Sequence, residues 1–174
     1  MTATTFIHTS DFQLGMTRWF LKGEAQGRFN DDREAAIVRL GELAEETGAE
    51  FIVVAGDVFE HNALSRDILA RATEMFKRLP VPVYVLPGNH DPLVADSVFY
   101  KTSADNVHVI ADSQPIEVAP GVELVGAPYL SKRANHDLVR QALEPLEPAA
   151  GIRIAVGHGQ VDSRSGEDDA DTID

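Results

Sequence analysis

Short apolar runs and helically spaced apolar residues alternate along this chain. Phe6–Ile7, Phe51–Ala55, Val83–Leu86 and Ile152–Val156 read as strands, and the unbroken runs at 51–55 and 83–86 suit strands covered on both faces. Between the first two, Asn30 is placed to cap a helix with Asp31 and Asp32 in its first turn. Ile37, Leu40, Leu43 and Ala44 form its apolar stripe, and Gly48 ends it. Ser65 is placed to cap a second helix, with Ile68, Leu69, Ala72, Met75, Phe76 and Leu79 on one side and Pro80 and Pro82 as the stop. Later come short strands at Val107–Ile110, Ile116–Val118 and Val122–Val125, with a turn at Pro120–Gly121. A helix over His136–Leu143 precedes Pro145 and Pro148. Neither a repeat nor an interdomain linker is visible. The pattern predicts one α/β domain, parallel early and partly antiparallel late.

The polar residues gather where those strands end. Asp11 follows the first strand, Gly56–Asp57 the second, Gly88–Asn89–His90–Asp91 the third, and Gly157–His158 the last. In open α/β sheets ligands collect beyond the C-terminal strand ends. Two carboxylates, an amide oxygen and an imidazole delivered there form a plausible ligand set for divalent cations. Asp57, on a rigid strand end, is placed to be shared between two ions. Two ions about 3.5–4 Å apart activate a water and clamp a phosphate for in-line attack. His90 then stands free to protonate the departing oxygen. Asp91 is expected to orient His90.

Composition narrows the chemistry. The chain has 174 residues and no cysteine, so thiolate ligands are excluded and carboxylate, amide and imidazole remain. That set suits Mn, Mg or Fe better than a structural zinc. The absence of cysteine and of a leader-like N-terminus fits a cytoplasmic protein. No stretch is long enough to cross a membrane. The formal net charge of −13 argues against strong DNA binding by the isolated chain, since nucleic-acid binders usually carry a basic face. Part of it lies in Glu167, Asp168, Asp169, Asp171 and Asp174, and residues 162–174 are expected to form a disordered acidic tail.

Ser10–Asp11–Phe12–Gln13, Gly56–Asp57, Gly88–Asn89–His90–Asp91 and Gly157–His158 resemble, in order, motifs of the calcineurin-like metallophosphoesterases. His8–Thr9–Ser10–Asp11 with Leu14–Gly15, Gly56–Asp57–Val58–Phe59 with Asn62, Ser65 and Arg66, Pro82–Val83–Tyr84–Val85, and His158–Gly159–Gln160–Val161 are similar to the bacterial SbcD-type nucleases of double-strand-break repair. The resemblance covers the whole chain and is densest over residues 5–92. It implies a sandwich of mixed sheets flanked by helices and two bound divalent ions, most simply Mn. It also implies hydrolysis of DNA phosphodiesters by an exonuclease-type enzyme, with an SMC-like ATPase as partner. Asp11, Gln13 and Asp57 then serve one metal, and Asp57, Asn89 and His158 the other, with His90 and Asp91 in catalytic roles.

The sequence departs from that family twice. Gln13 stands where the family has histidine, and no G-H-x-H follows His158. The expectation is an N-terminal piece of a longer protein, truncated at the C-terminus, whose isolated form binds Mn weakly and cleaves DNA poorly. The alternatives are a phosphatase or phosphodiesterase acting on a small ester or cyclic nucleotide, and a degenerate member that only binds a partner. His61, His108 and His136 match no ligand position and read as surface or loop residues, Glu60 as surface or loop support, and His8 as a core residue ahead of a residue that orients a metal ligand. Trp19 and Phe20 are open to two readings, packing residues or a DNA-facing loop, and Arg18, Lys22 and Arg28 beside them read as ordinary solvated charge ahead of a DNA contact.

Overall fold

The structure is a computed structural model that describes residues 3–161 and 172–173. Strands β1 (Phe6–Thr9), β2 (Phe51–Ala55), β3 (Val83–Leu86) and β4 (Val107–Val109) form a wholly parallel sheet in that order. Helices α1 (Ala25–Thr47) and α2 (Arg66–Phe76) make the first two crossovers. A second sheet holds β5 (Ile116–Ala119), β6 (Val122–Gly126) and β7 (Ile152–Val156). There β5 and β6 are antiparallel across the Pro120–Gly121 turn, while β6 and β7 are parallel. Helix α3 (Leu138–Leu143) lies between the last two. Strands β8 (Gln160–Val161) and β9 (Thr172–Ile173) pair in parallel.

Alternation along the central strands divides the core. Ile52, Val54, Val83 and Val85 pack with Ile37, Ala44, Leu69, Ala72 and Phe76, the helix side. Phe51, Val53, Ala55, Tyr84 and Leu86 pack with Leu124 and Val156 of the second sheet. Val125 and Ala127 pack with Ala142, Leu138 and Val139, so α3 covers that sheet's outer face. The result is four layers: helices, sheet, sheet, helix. It explains why β2 and β3 are apolar at every position, since both of their faces are buried.

Several sequence expectations need adjustment. Helix α1 begins at Ala25, five residues before the expected cap, and Glu24 precedes it without a side-chain cap bond. The Gln26 side chain donates to Met16 O (3.1 Å) and Asn30 Oδ1 (2.9 Å), binding the first turn to the preceding loop and drawing Asn30 into the helix. The other end follows expectation, with Gly48 at φ 65° donating back to Ala44 O and Glu45 O. Ser65 caps α2, and Asp137 caps α3. His8 is exposed rather than a core residue. It lies on β1, an edge strand, where the cover given by the second sheet runs out. The expected acidic tail lies outside the described residues except for Thr172–Ile173, which form β9.

Candidate metal centre

Strand ends bring Asp11, Asp57 and His158 together, with one ligand atom from each lying within 4.8 Å of the others. His158 follows β7 and reaches across to the first sheet. Its Nδ1 donates to Ala55 O at 2.9 Å. That contact leaves Nε2 facing Asn89 Oδ1 at 3.0 Å and Asp57 Oδ1 at 3.4 Å. In the neutral ring all three are acceptors, and nothing between them donates. A cation resolves such a cluster, either as a proton on Nε2 or as a metal ion. The donor set therefore fits a divalent ion on chemical grounds.

Two glycines make this approach possible. A Cβ on Gly56, whose φ is +89°, would lie 2.3 Å from the His158 ring. A Cβ on Gly88 would lie 2.2 Å from Asp57 Oδ1 and 2.5 Å from its amide nitrogen. Thus Gly56 makes room for the imidazole, and Gly88 brings the third strand's loop against Asp57. Backbone strain gathers at the same place. Asp11, Gln13 and Asp57 are the non-glycine residues with positive φ among those described, at 57°, 44° and 54°. Such strain persists where surrounding bonds hold it, and it clusters at working sites. The bonds here are Asp11 N to Gly56 O (3.1 Å), Gln13 N to Asp57 O (2.9 Å) and Leu14 N to Val58 O (2.9 Å). Arg33 adds a clamp by donating to Phe12 O (2.6 Å) and Gln13 O (3.3 Å).

Asp57 is buried, while Asp11 is open to solvent. Burial raises the Asp57 carboxyl, but His158 and the His90 N–H outweigh it, and the net direction is down. Burial lowers the His158 imidazole, and Asp57 outweighs that as well, so its net direction is up. Each favours the charged form of the other.

The Gly88–Asp91 run divides into separate tasks. The His90 amide donates to Asp57 Oδ1 (3.1 Å), and its Nδ1 meets Glu60 O at 3.1 Å. With Nδ1–H donating there, Nε2 is left toward the site, 4.0 Å from Asp57 Oδ2. The contacts that hold the His90 ring come from Glu60, whose Oε1 is also 3.8 Å from Nδ1. Asp91 does something else. It is fully buried, and its oxygens accept from Gly88 N (2.8 Å) and Phe59 N (2.9 Å). It ties the loops after β2 and β3 together, and its carboxyl is pushed up to about 6, chiefly by burial.

Other residues support the site: Asn62, marked in the sequence by resemblance alone, and Tyr129, which gave no sign there. Asn62 donates to Pro92 O and accepts from Val98 N and the Ser97 hydroxyl, bracing the loop beyond Asp91. Tyr129, which is buried, sets its ring edge-on to His158 at 6.0 Å. A depression of about 420 Å³ opens beside Asp11, bounded by Ser10, Phe29, Asp32 and Arg33. His61, His108 and His136 are exposed, and His108 stacks on Tyr84 at 5.1 Å.

The calcineurin-like phosphoesterase family matches residues 4–174. The chain belongs to that family. Its members use divalent metal ions, and the Asp11–Asp57–His158 cluster offers a place for one. Among curated proteins, the chain is 32% identical over 98 residues to the DNA double-strand break repair protein Mre11 of Archaeoglobus fulgidus, covering 55% of this chain and 21% of that one. It is 23% identical to the Mre11 of Saccharolobus solfataricus, over 87% and 40% of the two chains. It is 25% identical to the uncharacterized metallophosphoesterase YhaO of Bacillus subtilis, over 97% and 43%. The chain thus spans less than half the length of these curated relatives. A solved structure, a nuclease MPE of Pseudomonas putida, is similar over 90% of this chain and 62% of that one, with a TM-score of 0.44 and 18% identity. Among the described residues no helix is long and apolar enough to cross a membrane.

Proposed function

We propose that this chain is the nuclease domain of a DNA-repair exonuclease, hydrolysing DNA phosphodiesters with two divalent ions, most simply Mn. The observation that carries the chemistry is the convergence of Asp57, Asn89 and His158 lone pairs beside Asp11, with His90 Nε2 facing the same space. The choice of DNA rests on the relatives named as double-strand break repair proteins. Asp11, Gln13 and Asp57 would hold one ion, and Asp57, Asn89 and His158 the other. When bound, the ions supply charge neutralisation at the phosphate and activation of water. The residues do the rest. Asp57 holds the His90 loop through the His90 amide, so the carboxylate and the acid are positioned as one unit. The Glu60 carbonyl keeps the His90 Nδ1 proton, leaving Nε2 to carry the proton for the departing oxygen. Asp91 fixes the loops that carry these groups. In the whole protein the domain works with an SMC-like ATPase in the cytoplasm.

One assay set separates this reading from its rivals. The 174-residue chain and a version extended through the rest of its reading frame are incubated with Mn and four substrates: linear duplex DNA, single-stranded DNA, a cyclic nucleotide and an aryl phosphate. Cleavage of DNA by the longer protein, weak or absent in the shorter one, is the expected result. Turnover confined to the small esters replaces the nuclease with a small-molecule phosphoesterase. Silence on all four, with the fold intact, leaves a non-catalytic binding member.

A further inference from the structure

The loop between β1 and α1 carries an aromatic pair that packs on no core. Trp19 is 93% exposed and Phe20 58% exposed. Their rings meet edge-to-face at 5.8 Å. Burial is the usual fate of a tryptophan, so adjacent exposed aromatics mark a contact surface.

The loop is nevertheless firmly braced. Arg18 N donates to Gln26 Oε1 (2.9 Å), Gln26 Nε2 donates to Met16 O (3.1 Å), and Leu21 N donates to Arg18 O (3.0 Å). Beneath it, Arg33 lies over the Phe29 ring at 4.6 Å and also contacts Met16 Sδ. The backbone on either side of the rings is therefore held in place in advance of any partner, which lowers the ordering cost of binding.

Charge identifies the partner. Residues 12–23 contain no acid in a chain whose net charge is −13. Arg18 and Lys22 flank the two rings, Arg28 follows on the first turns of α1, and all three are exposed. Exposed π-faces interleaved with cations are how proteins hold unpaired nucleotides, the bases stacking while the cations meet phosphates. The place is also right. Trp19 is six residues from Gln13, so even a fully extended chain would keep its backbone within about 22 Å of the Gln13 backbone, at the edge of the candidate metal centre.

We propose that Trp19 and Phe20, with Arg18, Lys22 and Arg28, form a stacking platform for unpaired bases of a nucleic-acid strand entering the site; this rests on the nuclease reading above. The platform gives a mainly acidic chain a local means of holding a frayed or single-stranded end. About three phosphate contacts predict a shallow salt dependence, a log–log slope of about −2.

Trp19 is the chain's sole tryptophan, so its emission reports the contact directly. In metal-free buffer, a short oligothymidylate is expected to quench that emission saturably. An abasic deoxyribose-phosphate strand of equal length is expected to quench little. Trp19→Ala is expected to weaken binding of a labelled oligothymidylate by about 10-fold, with Trp19→Phe retaining most of the affinity. Equal quenching by both strands, no quenching, or unchanged affinity in Trp19→Ala overturns the platform. So does a blue shift of emission with protein concentration alone, which assigns the surface to a second copy of the chain. Base-dependent quenching of the chain, with no hydrolysis of DNA by the extended protein once Mn is added, keeps the platform and removes the nuclease reading. Hydrolysis of DNA without quenching does the reverse.

Discussion

Nε2 of His158 lies 3.4 Å from Oδ1 of Asp57, joining the ends of strands from two different sheets. The contact exists because Gly56 presents no side chain to the imidazole. Replacing Gly56 by alanine sets a methyl group into the ring and forces a left-handed φ on a residue that resists it. We expect Gly56→Ala to lose about 1–3 kcal/mol of stability and at least about 10-fold in Mn affinity. Thermal unfolding and calorimetric titration measure the two. Wild-type affinity in this variant would mean that His158 is not a ligand.

Metal binding should itself stabilise the fold. An ion that binds only the native state contributes about 2.7 kcal/mol at a hundredfold excess over its Kd. The melting temperature should therefore rise with Mn concentration in the wild-type chain. Asp57→Asn, which removes the carboxylate proposed to be shared, should abolish that rise. An equal rise in both proteins would place the ion elsewhere.

Protons and a divalent ion would compete for the His158 imidazole. Its ordinary value is 6.5, and the neighbouring carboxylate carries it upward against the opposing effect of burial. A ligand must be deprotonated to bind, so Mn affinity should climb as pH rises through and beyond 6.5, and binding should release a proton. Calorimetry in buffers of different ionisation enthalpy counts that proton. Affinity that is flat from pH 6 to pH 8 would contradict the assignment.

Burial sets Asp91 apart from the other carboxylates. Its value of about 6 in the folded chain stands above the ordinary 3.8. The native state therefore holds this proton more tightly than the unfolded chain does. The associated stability is present below pH 3.8 and is lost as pH rises to about 6, by up to about 3 kcal/mol. Urea unfolding of metal-free protein should show that decline, and Asp91→Asn should flatten it. Parallel curves for the two proteins would remove Asp91 as the source.

His90 is expected to act on rate and not on loading. His90→Gln should lower DNA turnover by about 10²- to 10⁴-fold while Mn affinity stays within a factor of about three. A matching fall in metal affinity would make His90 a ligand instead of an acid.

The gathering of Asp11, Asp57, Asn89 and His158 at strand ends was legible because side-chain type marks both the strands and the polar residues that follow them. β2 and β3 are apolar throughout, and each is followed by a glycine and oxygen-bearing groups. What stayed hidden depends on main-chain atoms and on packing. The partner of the His90 ring nitrogen is a backbone carbonyl, at Glu60, which any residue could supply. Asp91, expected beside that ring, turns inward because two buried N–H groups need acceptors there. The early start of α1 depends on Gln26 reaching back to the Met16 carbonyl, a contact that no helix propensity encodes. His8 has the spacing of a core residue, but it lies on an edge strand, and strand order is not local information.

The buried carboxylate of Asp91 has a dynamic consequence. One side chain holds the amides of Phe59 and Gly88, which lie in different loops. Neither amide can reach solvent until the same group lets go. The two should exchange their hydrogens with deuterium in a single opening event, at matching rates, as one small cooperative unit within the fold. The loops that present Asp57 and Asn89 would then breathe together, and the distance between those two side chains would stay set even while the surroundings fluctuate.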